Sequence, residues 1–333
     1  MTDLNNIRYL SGFTGSSAYV IITGTKSWFL TDSRYTAQAA VEVKGFVRKT
    51  YRKALEEVTG LLNDLKLRKV GFEGDRMSYD AFLRFKKALP GIKLMPTRGM
   101  AARLRARKDA FEIDRVKDSV KVLELGFGKA EESLVAGAAE KDAASAIEFN
   151  LRQNGADGLA FDAIIASGYR GAMPHGKASD KKIRKGELII VDMGVCLNGY
   201  NSDETRTYCV GRATRLQKEV YDTVLEAQRR AIEKIRPGVS AAAVDLEARS
   251  FIDNAGYGKY FGHGTGHGVG LEVHENPYIG PYSKDVLEEG MIVTIEPGIY
   301  IPSFGGVRIE DMALVVKGGC EILTKTPRKF TCL

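Results

Sequence analysis

Short apolar runs alternate with helical patterns over the first third of the chain. The strand-like runs between Ala18 and Met95 are AYVIIT, SWFLT, GFVRKTY, KVGFEG and IKLM. Among them lie RYTAQAAVEV, ALEEVTGLLNDL and YDAFLRFKKAL, whose apolar residues recur at the three- and four-residue spacing of amphipathic helices. Strands that alternate with helices predict a small α/β domain.

A second pattern begins after residues 96–108, a charged stretch with proline and glycine that marks a domain boundary. Four later segments have helical spacing, namely 109–135, 140–154, 214–235 and 240–254. Apolar strands lie between and after these helices. This order predicts an α+β domain in which helices pack against a mostly antiparallel sheet. We therefore divide the chain into domains 1–105 and 106–333.

The second domain contains an internal repeat. GELIIVDMG at 186–194 and GMIVTIEPG at 290–298 both read as Gly, five mostly apolar residues, an acid, any residue and Gly. The two acids are Asp192 and Glu296, each at the end of an apolar strand, where an unpaired charge is costly. The repeat predicts two related halves that each present a carboxylate at a strand end.

Asn198-Gly199 is a strong signal for a two-residue hairpin turn. With that turn, Asp192 pairs with Thr205 on the opposite strand. Asp203 then lies two residues from that partner and on the same face. We therefore expect Asp192 and Asp203 to look into one site.

A second pair of acids, Glu296 and Glu310, is separated by fourteen residues. A two-residue turn at Gly305-Gly306 would place them on opposite faces of the hairpin. If they are to act together, a longer loop or a bulge is required, for example near Pro302. The spacing alone leaves both arrangements open.

Four carboxylates on adjoining strands would repel one another and raise each other's pKa unless a cation neutralised them. The stretch FGHGTGHGVGLEVHENP also holds three of the four histidines of the chain, His263, His267 and His274. Two divalent metals about 3.5 to 4 Å apart, with one histidine among their ligands, account for both observations. Oxygen-rich ligation with one imidazole suits Mn, Co, Fe or Zn.

The net charge of +7 changes this picture little, because Lys and Arg are spread along the chain. Their one concentration, TRGMAARLRARKD at 97–109, predicts a solvated connector or the start of a helix. We expect no nucleic-acid partner.

Cysteine usage and the amino terminus indicate a compartment. The four cysteines, Cys196, Cys209, Cys320 and Cys332, show no CxxC spacing and form no disulfide framework, which favours a reducing cytosol. The first residues, MTDLNNIRYL, lack a secretory pattern, and no apolar run approaches the roughly 18 residues of a membrane span. We expect a cytoplasmic protein with no membrane partner.

The motifs in their order resemble the metal-dependent pita-bread peptidases, in the branch of Xaa-Pro aminopeptidases and Xaa-Pro dipeptidases (prolidases). The resemblance covers nearly the whole chain. NIRYLSGFTGSSA and LTDSRYTAQAAVEV are similar to the N-terminal domain of that branch, and PHG, VDMG, NSDETRT, GHGTGHGVG, VHENP, TIEPG and GVRIED to its catalytic domain. It implies a creatinase/aminopeptidase-like catalytic domain after a smaller creatinase-like domain. Relatives usually carry about one more strand and helix at the start, so we expect that domain to be shortened there.

The resemblance also implies a ligand set for two divalent metal ions. Asp192 would bind one ion, Asp203 and Glu310 would bridge both, and His267 and Glu296 would bind the other. Manganese is the first choice, with cobalt, zinc and iron as alternatives.

The same resemblance assigns the remaining chemistry. A metal-bridging hydroxide would attack the scissile carbonyl, and Glu296 would pass the proton to the leaving nitrogen. His274 would stabilise the oxyanion, while His263 and His175 would act with it on the substrate. A structural role in the glycine-rich loop is the alternative for His263 and His274. Arg308 would orient the carboxylate two residues later or meet the substrate.

The implied function is hydrolysis of the N-terminal Xaa-Pro bond of short peptides by an aminopeptidase, working as a homodimer. An Xaa-Pro dipeptidase restricted to dipeptides is the alternative and would use the same ligands. A methionine aminopeptidase normally lacks the N-terminal domain. Non-hydrolytic relatives, which are metal-free enzymes or binding modules, have typically lost ligands that are all present here. The alternating glycines at 262–270 never form G-x-G-x-x-G, which excludes a dinucleotide-binding loop.

Overall fold

A computed structural model describes all residues from Met1 to Leu333. The chain folds into two compact units, Met1–Arg105 and Ala106–Leu333. The first holds helices α1 (Leu4–Ser11), α2 (Thr36–Glu42), α3 (Ala54–Asp64), α4 (Tyr79–Ala88) and α5 (Met100–Ala106). Its strands are β1 (Ala18–Ile22), β2 (Ser27–Asp32), β3 (Val47–Tyr51), β4 (Lys69–Glu73) and β5 (Lys93–Thr97). The predicted α/β alternation is confirmed.

Strand β2 lies at the centre of the sheet β1-β2-β3, antiparallel to β1 and parallel to β3. Phe29 and Leu30, neighbours in β2, belong to cores on opposite faces of this sheet. Strands β4 and β5 form a separate parallel pair. Burial on both faces explains the continuous apolar run SWFLT.

Of the helices in the first unit, one was not predicted and another was predicted only as one of two alternatives. Helix α1 was not predicted; the Asp3 side chain caps it by accepting from the Asn6 amide. Within the basic run at 97–109, Met100–Ala106 form helix α5, so the helical alternative is confirmed and not the solvated connector. Its Arg105 is 1% exposed and donates to the side-chain oxygen of Asn6, 2.9 Å away.

The second unit contains four long helices, α6 (Ala110–Ser133), α7 (Glu140–Gln153), α8 (Arg215–Lys234) and α9 (Ala241–Asn254). These are the four helices predicted from apolar spacing. Capping boxes start two of them, Asp109 with Glu112 at α6 and Thr214 with Gln217 at α8. None of the helices in the chain combines the length and the apolar character that crossing a membrane requires.

The strands of the second unit are β6 (Gly158–Leu159), β7 (Ile164–Ser167), β8 (Leu188–Met193), β9 (Val195–Leu197), β10 (Tyr200–Asn201), β11 (Glu204–Cys209), β12 (Gly266–Gly268), β13 (Glu275–Ile279), β14 (Ile292–Ile295), β15 (Gly298–Ile301), β16 (Gly305–Arg308), β17 (Asp311–Val316), β18 (Gly319–Ile322) and β19 (Thr331–Cys332). They form sheets in the orders β10-β9-β6, β19-β11-β8-β7, β13-β12-β14-β17-β18 and β15-β16. Every pairing is antiparallel except β11 with β19. The predicted α+β layout is confirmed.

The internal repeat corresponds to two cores. Helices α6 and α7 pack on β7 and β8 in a core that includes Phe127 and Val191. Helices α8 and α9 pack on β14 and β17 and form a second core, which includes Val224 and Ile295. Each copy of the repeat therefore supplies the central strand of one helix-covered sheet, and its acid stands at the end of that strand.

Candidate metal centre

The first pair of acids lies where strands β8 and β11 meet. Asn198 and Gly199 form the predicted turn, with φ angles of 52° and 80°. Asp192 pairs with Thr205 in the predicted register, and Asp203 immediately precedes β11. Because the turn fixes the register, both carboxylates reach the same side of the hairpin, as expected.

The second pair of acids stands at the junction of β14 with β15 and of β16 with β17. The flanking pairs are Ile295 with Asp311 and Gly298 with Arg308. Both ladders share one register, which places Glu296 opposite Glu310. A three-residue loop, Pro302–Phe304, makes this register possible, so the longer loop that cooperation required is present.

His267 belongs to β12, between the two pairs of acids. Its Nε2 lies 3.3 Å from Oε1 of Glu296 and 3.7 Å from Oδ2 of Asp203. Its Nδ1 lies 3.1 Å from the Gly268 carbonyl, so the Nδ1 proton is donated there and Nε2 faces the acids, where it could bind a metal ion in place of a proton. A side chain at Gly266 would meet the Thr294 carbonyl at 1.9 Å; the glycine permits this close approach.

The donor atoms fit a divalent cation. One ligand atom each of Asp203, His267 and Glu310 lies within 4.8 Å of the others. Oδ1 of Asp192 and Oε1 of Glu310 are buried and accept no hydrogen bond from the protein. A buried carboxylate oxygen without a partner is costly, and a cation of the kind that carboxylates and imidazole bind would satisfy both.

Burial and mutual repulsion act on these acids. Burial first, and then the neighbouring carboxylates, hold the pKa values of Asp203 and Glu310 well above their usual range. For Glu296 the effect of burial is outweighed by the hydrogen bond and charge of His267, and its pKa falls to about 2. Burial acts in the opposite direction on His267 and lowers its pKa. The hydrogen bond to Glu296 and the charges of Glu296 and Asp203 outweigh this effect and raise the pKa of His267 to about 9. The site therefore favours positive charge at its centre.

The other three histidines line the same cavity as the acids. His263 is held at both nitrogens, with Nε2 2.9 Å from the Tyr300 hydroxyl and Nδ1 2.7 Å from the Gly264 carbonyl. The ring of His274 lies against that of His267, with centroids 4.0 Å apart. His175 and His274 are exposed. The exposed rings are therefore free to meet a ligand, whereas His263 is fixed.

Arg308 is 3% exposed and donates four hydrogen bonds. It donates to Oδ2 of Asp192 at 2.5 Å, the Tyr300 hydroxyl at 2.8 Å, the Pro174 carbonyl at 3.1 Å and the Thr205 hydroxyl at 3.2 Å. Thr205 in turn donates to Oε2 of Glu310 at 2.6 Å. Arg308 therefore orients Asp192 directly and reaches Glu310 only through Thr205.

Two residues of this network, Tyr300 and Thr205, were not predicted as site residues. The hairpin register already placed Thr205 opposite Asp192, which is a signal that it faces the acids. Tyr300 links His263 to Arg308 through its hydroxyl. No sequence spacing pointed to it.

The cavity above the acids has a volume of about 510 Å³, within the range of small-ligand sites. Besides the acids, histidines and Arg308, its walls include Phe161, Asp162, Lys177 and Tyr278. A substrate of a few residues can therefore reach all the predicted site residues together.

Sequence comparisons identify the family to which this site belongs. Residues 114–317 match the model of metallopeptidase family M24, and residues 1–107 match the creatinase/prolidase N-terminal domain. The chain belongs to family M24. This result confirms the resemblance, the two-domain pita-bread class and the assignment as a metallopeptidase.

Several relatives in family M24 span nearly the whole chain. The chain is 41% identical over 326 residues to an Xaa-Pro dipeptidase of Pyrococcus furiosus. The matched region covers 98% of this chain and 92% of the relative. An Xaa-Pro dipeptidase structure from Bacillus anthracis superposes with a TM-score of 0.97, at 39% identity and with 100% and 94% of the two chains covered. The X-Pro aminopeptidase structure from Thermotoga maritima superposes with a TM-score of 0.91 at 39% identity, and the match covers 97% of this chain and 93% of the other. The dipeptidase alternative is therefore better supported than the aminopeptidase.

Proposed function

We propose that this protein is a metal-dependent Xaa-Pro dipeptidase, a prolidase. The observation that carries the proposal is the buried cluster of four carboxylates and one imidazole, with two unpartnered carboxylate oxygens, at the base of a cavity lined by three more histidines. The extensive similarity to the dipeptidases of Pyrococcus furiosus and Bacillus anthracis supports the dipeptide preference.

Two divalent metal ions are proposed to bind in the cluster. Asp192 would hold one, His267 and Glu296 the other, and Asp203 and Glu310 both. Manganese is the first candidate, followed by cobalt, zinc and iron. When bound, such ions lower the pKa of a water molecule to near neutrality and polarise a substrate carbonyl.

The side chains of the protein supply proton transfer and positioning. Glu296, whose Oε1 accepts from the Thr294 hydroxyl at 3.2 Å, takes the proton of the attacking water and passes it to the prolyl nitrogen. His274, exposed beside His267, donates to the oxygen that becomes negative in the tetrahedral intermediate. His175 holds the substrate against the cluster, whereas His263, whose ring nitrogens bond Tyr300 and the Gly264 carbonyl, fixes the cavity wall beside it.

The chemistry of proline explains why such a site is useful. An Xaa-Pro bond has no N–H, and its φ angle and preceding residue are restricted. A peptidase that recognises an extended backbone through hydrogen bonds handles this bond poorly. A small cavity that encloses the two residues around the bond avoids that requirement.

The proposal is tested with metal-stripped protein that is reloaded with Mn²⁺, Co²⁺ or Zn²⁺ and given Ala-Pro and Ala-Pro-Ala. We expect metal-dependent hydrolysis of the dipeptide with little of the tripeptide. Efficient cleavage of the tripeptide would identify an aminopeptidase, which the similarity to the Thermotoga protein keeps as the second candidate. Metal binding without cleavage of either peptide would indicate a binding module of the same fold.

A further inference from the structure

Two residues that line the cavity carry a permanent positive charge, Arg308 and Lys177. The guanidinium of Arg308 is buried, and its donors are engaged by Asp192, Tyr300, Thr205 and the Pro174 carbonyl. The side chain of Lys177 is 75% exposed. Of these two cations, Lys177 is therefore the one that a ligand in the cavity can contact directly.

The backbone of Lys177 is fixed although its side chain is free. Arg170 donates through Nη2 to the Lys177 carbonyl and through Nε to Oε2 of Glu140 at 2.9 Å. Glu140 is fully buried and also accepts from the amide and hydroxyl of Ser179. These bonds hold the backbone of the segment that carries His175 and Lys177. Only the side chain of Lys177 has to change conformation for its ammonium group to reach a ligand.

The present partner of Lys177 is replaceable. Its Nζ lies 2.6 Å from Oδ2 of Asp162, whose side chain is 73% exposed and also lines the cavity. Exposed ion pairs contribute at most about 1 kcal/mol, so an incoming carboxylate can displace Asp162 at little cost. A lysine is charged at neutral pH, and the hydrogen bond to Asp162 raises the pKa of Lys177 further.

We propose that Lys177 binds the free carboxylate of the proline in an Xaa-Pro dipeptide and so determines the preference for dipeptides. A dipeptide ends in a carboxylate directly after its scissile bond, whereas a longer peptide has a neutral amide at that position. A cation at the cavity wall distinguishes the two. This inference rests on the proposed dipeptidase function and names the residue responsible for its selectivity.

The test compares Ala-Pro with Ala-Pro-amide, which differ only in the terminal charge. We expect the metal-loaded wild type to prefer Ala-Pro by about 5- to 10-fold in kcat/KM, the size of one partly exposed charge contact. Lys177→Met should raise KM for Ala-Pro to the value for the amide, with kcat unchanged and the amide unaffected. Lys177→Arg should retain most of the preference.

Lys141→Met is the matched control. Lys141 is also an exposed lysine paired with an aspartate, Asp180, but it does not line the cavity. The control should behave as wild type. If Lys177→Met leaves the preference intact, or lowers the cleavage of both substrates equally, Lys177 does not bind the carboxylate. If the wild type binds metal but cuts neither substrate, the dipeptidase function itself is wrong and the inference falls with it.

Discussion

The guanidinium of Arg308 donates to Oδ2 of Asp192 across 2.5 Å, within a region where both side chains are buried. The other oxygen of this carboxylate, Oδ1, has no partner in the protein. Burial raises the pKa of Asp192, and the charge of Arg308 opposes that shift. Arg308 thus fixes one oxygen of Asp192 and leaves the other for a metal ion.

Replacement of Arg308 by methionine tests this positioning role. Loss of a group that orients a metal-binding residue typically costs 10- to 100-fold in metal affinity, and we expect a loss of about that size. The measurement is competition for Mn²⁺ against a chelator of known affinity. Arg229→Met, which removes an arginine that is paired with acids on the exposed face of α8, should change nothing. An Arg308→Met protein with normal metal affinity and only a raised KM would show that the guanidinium meets the substrate instead.

Substitutions within the cluster should separate metal binding from turnover. Asp203→Ala and Glu310→Ala should lose both bound metal and activity, because each removes a proposed bridging carboxylate. His274→Ala should keep its metal and lose turnover, because that ring is exposed and proposed to act on the oxyanion. Metal content by atomic absorption, together with kcat on Ala-Pro, distinguishes the two classes. Near-normal turnover by His274→Ala would disprove the role given to it.

Thr205→Val removes the hydroxyl that donates to Glu310 and accepts from Arg308. We expect a loss of roughly 10-fold in metal affinity, because Glu310 is no longer held in position. Thr207→Val is the comparison variant, because Thr207 is the next position on the same face of β11 and its hydroxyl bonds the backbone of Arg308, not a carboxylate. It should bind metal more tightly than Thr205→Val. Equal losses in the two variants would mean that strand packing, not the bond to Glu310, sets the affinity.

Local signals in the sequence predicted one half of the site better than the other. The Asn198-Gly199 turn fixed the pairing of Asp192 with Thr205, because a two-residue turn permits one register. The Glu296 and Glu310 pair stayed open, because the sequence offered a two-residue turn at Gly305-Gly306, whereas the protein uses a three-residue loop before it. The four long helices were predicted because each has a continuous amphipathic pattern.

Contacts between distant segments could not be predicted. Arg308 reaches Asp192 across 116 positions, and the His263 to Tyr300 bond spans 37. These depend on how two sheets meet, which periodicity does not encode. Helix α1 was missed because eight residues give too few turns for a periodic signal. The burial of Arg105 was not predicted, because charge alone does not reveal a buried partner such as Asn6.

Glu204, next to Asp203, provides a prediction about pH. Its side chain is fully buried, and neither carboxylate oxygen accepts a hydrogen bond. Arg206 Nη2 lies 2.7 Å from Oε1 but donates to Asp311 and to the Thr326 carbonyl. Burial, partly offset by the charge of Arg206, raises the pKa of Glu204 to about 8. The ionised carboxylate is therefore less stable in the folded chain than in the unfolded one.

The sign of the effect follows from this raised pKa. The folded state binds the proton more tightly, so the stabilisation that a protonated Glu204 provides is lost as the pH rises from the ordinary value of 4.5 to about 8. Glu204→Gln removes this penalty. In metal-stripped protein we expect the variant to gain about 1 to 3 kcal/mol in unfolding free energy at pH 8 and clearly less at pH 5, measured by urea titration. Glu321→Gln, at an exposed pair with Lys117, is the control and should show no such trend. A gain that is equal at both pH values, or a loss at pH 8, would mean that Arg206 stabilises the charged form of Glu204 after all.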